Sequence, residues 1–294
     1  MRSWKWIAGS ALLALVLPLQ SRAQEGAGNV VYVPTPQIVV EEMLRMAKVG
    51  PKDFVIDVGS GDGRMVITAA KKFGARGFGV DLDPVLLKQS NENAQREGVA
   101  DRARFIEQNL FEADLSQATV ITSYLLPEMN EKLRPKIISL RPGTRVVAHD
   151  YHMGEWHPDG HQSLDVPGKT VGQPGKSHIY LWIVPAKIAG HWQSQIAAGT
   201  QPANWEFEFE QRFQMFDGVA LSGGRKITLR VPKLEGDQLS FQFFIKPGDN
   251  STRHEFKGTV KGELIDGTLR LGAGAGQKQV PWSAKLVQRA ASPE

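Results

Sequence analysis

Phe54-Val55-Ile56-Asp57-Val58-Gly59-Ser60-Gly61-Asp62-Gly63-Arg64 is the stretch on which the reading of this chain turns. A buried-strand pattern, Phe54 to Val58, runs straight into three glycines at alternate positions, and a helical run follows from Arg64 to Phe73. Glycines let a chain turn tightly and bring bare backbone N–H groups up to a ligand. The N-terminus of the new helix adds its positive dipole end, which suits a nucleotide or a carboxylate. A second strand, Arg76 to Val80, ends in Asp81, twenty-two positions beyond Gly59. Nucleotide-binding folds of this plan place a ribose-binding carboxylate about 20 residues on. With strand, turn, helix and acidic strand end in register, the loop reads as a ligand site rather than a bare turn.

The spacing narrows the ligand. Dinucleotide enzymes favour G-x-G-x-x-G, whereas this chain has G-x-G-x-G with Asp57 two residues ahead of the first glycine. That pattern resembles motif I of the class I S-adenosylmethionine methyltransferases. The resemblance implies S-adenosylmethionine as cofactor, with Asp57 near its amino acid part and Asp81 on the ribose hydroxyls.

The alternation continues on both sides of the loop. Val39, Met43 and Met46 recur at helical spacing in a helix expected over 36–48, with Thr35 as its cap and Pro36 at its first position. Strands are expected over 54–58, 76–81, 103–107, 119–124 and 144–149, and helices over 64–73, 84–97 and 128–140. Such alternation argues for a parallel sheet covered on both faces. Residues 177–184 read as a last strand, with 162–166 as its partner. The methyltransferase resemblance makes this a Rossmann-like seven-stranded sheet with a terminal antiparallel strand. Beyond Pro185 the pattern changes. Trp205-Glu206-Phe207-Glu208-Phe209-Glu210 alternates at the period of a half-buried strand, and 226–231, 238–245, 253–260 and 263–271 repeat the signal. The expected organisation is therefore a methyltransferase domain over 29–186 and a small antiparallel β domain, barrel or sandwich, over 187–290.

The first residues form a separate segment. Arg2 and Lys5 precede an apolar run from Ile7 to Leu19, and Ser21-Arg22-Ala23 offers a small-residue cleavage site. This is the layout of a signal peptide over 1–23, so export is expected, with an uncleaved membrane anchor as the alternative. The formal net charge is +4, and Arg2, Lys5 and Arg22 supply three of those charges, so a chain cleaved there keeps +1. No dense Lys/Arg patch stands out, which argues against nucleic acid as a partner. With no cysteine, disulfides and thiolate metal sites are excluded.

Tyr32-Val33-Pro34-Thr35-Pro36, Asp57 to Arg64, Gly79-Val80-Asp81-Leu82-Asp83-Pro84, Asn109-Leu110-Phe111, Tyr124-Leu125-Leu126-Pro127-Glu128-Met129 and Val147 to Trp156 carry a closer likeness. Over roughly 31–185 the chain resembles bacterial relatives of the seven-strand protein-lysine methyltransferases of mitochondrial carriers and the ATP synthase c-subunit. The resemblance implies that Gly59, Gly61 and Gly63 approach the methionine moiety, that Asp81 holds the ribose, and that Leu82 and Asn109 border the adenine. It also implies a methyl acceptor, protein or small molecule, beyond the fourth strand, with Tyr32, Tyr124, His149 and Asp150 as candidate catalytic residues. Substitutions at Asp81 or Gly61 are expected to act on the ligand and to leave melting unchanged. His149, His152, His157 and His161 crowd one loop, but their spacing matches no established metal motif, so no metal is expected. Two other readings stand beside the methyltransferase: a catalytically silent envelope-binding module, and an NAD-dependent oxidoreductase.

Overall fold

The computed structural model describes residues 24–25, 31–196, 203–245, 252–272 and 277–290, so the expected signal segment lies outside the described residues. A short ribbon pairs β1 (Gln24–Glu25) with β2 (Val31–Tyr32). The next elements are α1 (Gln37–Met46), β3 (Phe54–Val58), α2 (Arg64–Phe73), β4 (Arg76–Asp81), α3 (Pro84–Arg96) and β5 (Ala103–Glu107). Then come β6 (Val120–Ser123), α4 (Pro127–Ile138), β7 (Arg145–His149), β8 (Gly160–Asp165) and β9 (Lys176–Ile183). They build one seven-stranded sheet in the order β5-β4-β3-β6-β7-β9-β8. The first five strands are parallel, β9 runs antiparallel to β7, and β8 runs antiparallel to β9. This is the Rossmann-like methyltransferase plan read from the sequence. The chain winds outward from β3 to β5, then crosses to β6. A sheet of this kind binds ligands at that reversal, beyond the carboxyl ends of the strands.

Local chemistry explains the helices. Val39, Val40, Met43 and Leu44 are fully buried along one stripe of α1, against Val55 of the sheet. Helix α2 starts and stops at Gly63 and Gly74, both in the left-handed region. Asp83 caps α3 by accepting from the Val85 N–H at 2.8 Å, and Pro84 takes the first helical position. One expectation is corrected at α1. Pro36 is itself the cap residue, and Thr35 makes no capping bond; its Oγ1 lies 3.3 Å from His149 Nδ1 instead.

The second unit is a single nine-stranded antiparallel sheet: β10 (Gly190–Ile196), β11 (Ala203–Arg212), β12 (Met215–Ser222), β13 (Arg225–Thr228), β14 (Arg230–Glu235), β15 (Gln238–Ile245), β16 (Thr252–Lys261), β17 (Leu264–Leu271) and β18 (Lys278–Arg289). The order is β13-β12-β11-β10-β18-β17-β16-β15-β14. Its two end strands, β13 and β14, are separated in the chain by Leu229 alone, so the ends must meet and the sheet curls into a barrel. Leu229 spans the seam, donating its N–H to Gly218 O at 3.0 Å. The strand expected over 226–231 is therefore two strands. Inside, Trp192, Phe207, Phe241, Phe243, Phe256 and Trp282 form a packed core, while Glu206 and Glu210 face out. Aromatic rings that fill a small barrel leave it stable but without an internal ligand cavity.

The barrel docks through the β11–β12 turn. The Phe213 ring stacks on Trp156 with centroids 6.0 Å apart. Gln214 Oε1 accepts from the Trp156 indole at 2.9 Å, and its Nε2 donates to His157 O at 2.7 Å. The segment 151–157, which leaves the end of β7, is thus held from the barrel side. Among the described residues no helix is long and apolar enough to cross a membrane.

Candidate active site

A cavity of about 260 Å³ opens at the carboxyl ends of β3 to β6. Its floor is the glycine loop. Gly59 and Ser60 donate their N–H groups to Val80 O, both at 2.9 Å, which clamps the loop onto the end of β4. Asp81 completes the clamp: Oδ2 accepts from the Gly61 N–H at 2.8 Å, and Oδ1 from Leu82 and Asp83 at 2.8 and 3.1 Å. Asp57, Gly59, Asp81, Leu82 and Asn109 line the cavity, as do Tyr32 and Tyr124.

Gly61 and Gly63 are not among its lining residues, which changes their expected role. A Cβ on Gly61 would lie 2.2 Å from Tyr32 Cε2, and one on Gly63 2.5 Å from Phe105 Cζ. These two glycines make room for side chains that pack the loop. His149 and Asp150 also stand behind the wall rather than in it. His149 is fully buried, its ring 4.0 Å from that of Tyr124, with Nε2 2.9 Å from Ser177 Oγ. The Tyr124 hydroxyl lies 3.4 Å from Asp150 Oδ2.

The electrostatics favour a cation with hydroxyl groups. Four carboxyl groups, Asp57, Asp62, Asp81 and Asp83, line the cavity against the single Arg64. Asp57 is buried, and among the described residues its one side-chain partner is Thr122, whose hydroxyl donates at 2.6 Å. Burial first, then the charges of Asp81 and Asp62, push Asp57 up to about 7. Burial and the Asp62 charge likewise push the Tyr32 phenol above its ordinary value, and burial with Asp150 does so for Tyr124. Burial takes His149 down to about 4, with Asp150 opposing and Lys169 and His178 adding to the fall, so its ring is neutral at physiological pH. Tyr32 Oη and Ser60 Oγ are buried at the cavity without a hydrogen-bond partner among the described residues. Buried orphan hydroxyls beside a half-protonated carboxyl fit a polar, cationic ligand such as S-adenosylmethionine.

The sequence did not single out Arg64 or Thr35 as site residues. Arg64 forks onto Asp62 and donates to Thr35 O at 2.8 Å, tying the 32–36 segment over the loop. Arg64 adjoins the glycine motif and Thr35 lies in the Tyr-Val-Pro-Thr-Pro segment, but their pairing spans 29 positions. The histidines of the 149–161 loop diverge, His149 inward and His161 onto Tyr180. Among the described residues no group of three metal-ligating side chains converges.

This geometry revises what substitutions do. Asp81→Ala removes a charged acceptor and releases three backbone N–H groups. S-adenosylmethionine affinity should fall roughly tenfold to a hundredfold, for about 1.5–3 kcal/mol, and melting should fall with it. Gly61→Val adds a branched side chain at φ 52° against Tyr32, so it should lower melting further than Asp81→Ala. Calorimetric titration and thermal melting of both variants check this; unchanged affinity in both would remove the loop from ligand binding.

Comparison with known proteins agrees with the site. Residues 57–160 match the ANTKMT methyltransferase domain. A protein-lysine N-methyltransferase of Saccharolobus islandicus is 46% identical over 132 residues, 44% of this chain and 82% of that protein. The lysine N-methyltransferase of Xenopus laevis that is named for the ATP synthase c-subunit is 35% identical over 129 residues, and the match covers 56% of its length. A crystal structure described as an RNA methyltransferase from Salinibacter ruber with S-adenosyl-L-homocysteine is 48% identical, covering 53% of this chain and 96% of that one, with a TM-score of 0.48. Neither the oxidoreductase nor the silent-module reading finds support here. With the relative from Saccharolobus matched over four-fifths of its length, the chain belongs to the class I S-adenosylmethionine-dependent methyltransferases.

Proposed function

We propose that the chain N-methylates lysine side chains of a protein. The observation that carries this reading is the wall around Tyr124: a neutral, buried His149 and a carboxylate, Asp150, back the side of the cavity that follows β6. The names of the two relatives above support the same acceptor. When bound, S-adenosylmethionine supplies a sulfonium-activated methyl group. The chain's residues have three tasks. Asp57 and Asp81 hold the cofactor's charged and hydroxyl ends. Tyr32, Leu82 and Leu125 exclude water from the cavity. The Tyr124 side takes the acceptor, whose ammonium must first lose a proton so that its lone pair can attack. Desolvation lowers a lysine's pKa, and Thr35, which lines the cavity and meets His149 Nδ1, offers the departing proton a route to a neutral imidazole. Methyl transfer of this kind is an in-line displacement that alignment alone can speed greatly.

The test incubates a whole extract of the source cells with methyl-labelled S-adenosylmethionine and the purified chain, and follows the label by peptide mass spectrometry and in the nucleic-acid fraction. Methylated lysines should appear with wild type and not with Asp57→Asn. Label transferred to nucleic acid and to no protein would overturn the proposal.

We further propose that residues 1–23 direct export and are removed near Ala23. Support comes from the order of charge, apolar run and small-residue site. Sequencing the N-terminus of envelope-fraction protein should begin near Gln24. An intact Met1 in membranes would indicate the anchor, and full-length protein in the cytosol would defeat export.

A further inference from the structure

Of residues 166–175, which link β8 to β9, two are buried: Val166, directly after the strand, and a lysine, Lys169. The Lys169 and Asp150 side chains are 5% and 4% exposed and form an ion pair. Lys169 Nζ also donates to Lys176 O at 2.5 Å. Asp150 stands at φ 60°, in the left-handed region that aspartate enters more readily than most side chains, here directly after the end of β7. Its Oδ1 accepts from the His178 N–H at 3.0 Å and lies 3.5 Å from His149 Nε2, while Oδ2 meets the Tyr124 hydroxyl. Gly172 presses on the pair from outside: a Cβ there would lie 2.7 Å from Asp150 Oδ2.

Burying an ammonium carries a cost of several kcal/mol that a surface loop escapes by leaving its lysine in water. Here the loop exposes its apolar Val171, at 44%, and hides the charge. Both groups that Asp150 touches on the cavity side belong to the acceptor wall. Tyr124 lines the cavity, and His149 reaches it through Thr35. We infer that Lys169 is a positioning residue of that wall: pinned beneath the β8–β9 loop, its ammonium holds Asp150 where the carboxylate orients the Tyr124 hydroxyl and keeps the His149 ring turned toward Thr35. This rests on the assignment of the Tyr124 side as the acceptor end. Without Lys169, Asp150 is left with His149 as its nearest cationic counterpart. The imidazole then binds a proton more readily, and its capacity as an acceptor is lost at a higher pH than in wild type.

The test reads His149 itself, in the full chain, by nitrogen-15 NMR titration of the histidine rings. Facing His149 are Asp150 directly after β7, Tyr124 after β6, Lys169 from the loop and His178 from β9, with the Thr35 and Ser177 hydroxyls. Wild type should titrate near 4, and Lys169→Arg should stay there. Lys169→Met should gain about tenfold in proton affinity, one pKa unit. Gly172→Ala, which keeps every charge and pushes Asp150 off the lysine, should move His149 in the same direction. S-adenosylhomocysteine affinity by calorimetry should be unchanged throughout. An unmoved His149 in Lys169→Met, or a loss of S-adenosylhomocysteine binding in step with the shift, overturns the inference. If Lys169→Met does not fold, an elevated midpoint in Lys169→Arg or an unmoved one in Gly172→Ala does so. No methyl acceptor enters the measurement, so its outcome is separate from that of the lysine assay.

Discussion

Asp57→Asn is expected to raise the melting temperature of the ligand-free chain and to weaken S-adenosylmethionine at least a hundredfold. Asp57 is buried at the end of β3, and its carboxyl sits at about 7 in the fold against 3.8 for the free group. From about pH 4 to 7 the unfolded chain ionises this group while the folded chain keeps it protonated. Its contribution to stability therefore falls as pH rises through that window, and the full penalty, on the order of 4 kcal/mol, applies above 7. Asparagine has nearly the same shape, can keep the Thr122 bond and carries no charge to desolvate. The variant should melt higher than wild type by several degrees at pH 8 and gain nothing at pH 4. Binding moves the other way. If Asp57 holds the cationic end of the cofactor, removing one member of a buried charge pair costs about 3–5 kcal/mol, a hundredfold or more. Wild-type affinity should also fall about tenfold per pH unit below 7, because the carboxyl must shed a proton to pair. The variant should show no such slope. Thermal melting and calorimetry at several pH values measure both halves, and a variant that binds as tightly as wild type would sink the role given to Asp57.

That opposition of stability and binding is partly legible in the amino-acid sequence. The strand, the loop and Asp81 are encoded within about 30 residues of one another, and local sequence carries such units well. What fills the space beside each glycine is not local. Gly61 and Gly63 announce that no side chain fits there, but Tyr32 and Phe105 come from 29 and 42 positions away. Thr35 reads as a helix cap because the next residues are helical, yet its hydroxyl meets a histidine 114 positions on. Lys169 gives no sign at all. A lysine in a loop rich in glycine reads as solvated, and only the return of β9 beside β7 sets it over Asp150. In the barrel, β12 is hidden in the sequence because Asp217-Gly218 reads as a turn. Gly218 is instead needed within the strand, since a Cβ would lie 2.2 Å from Glu208 O across the ladder.

Replacing Phe213 should act with opposite signs on the whole chain and on the barrel alone. The residue sits at φ 54° in the β11–β12 turn, a conformation that costs a bulky side chain about 1–2 kcal/mol and glycine almost nothing. In the whole chain the ring is held against Trp156, and the guanidinium groups of Arg134 and Arg212 lie 5.6 and 5.9 Å from its centroid. Phe213→Gly there loses an aromatic stack and part of a core contact, about 2–4 kcal/mol, more than the relieved strain returns. Full-length protein should melt several degrees lower, and fluorescence of the newly loosened Trp156 should report it. Residues 187–290 expressed alone should fold, since their strand order closes on itself and their core is their own. In that fragment Phe213 has no partner across the interface, so Phe213→Gly relieves strain and should raise melting. A fragment that fails to melt cooperatively would mean the barrel depends on the methyltransferase sheet. A fall in both contexts would place Phe213 in the barrel's own core. Opposite signs would locate the strain at the docking turn, where the barrel grips the loop that leads away from His149 and Asp150.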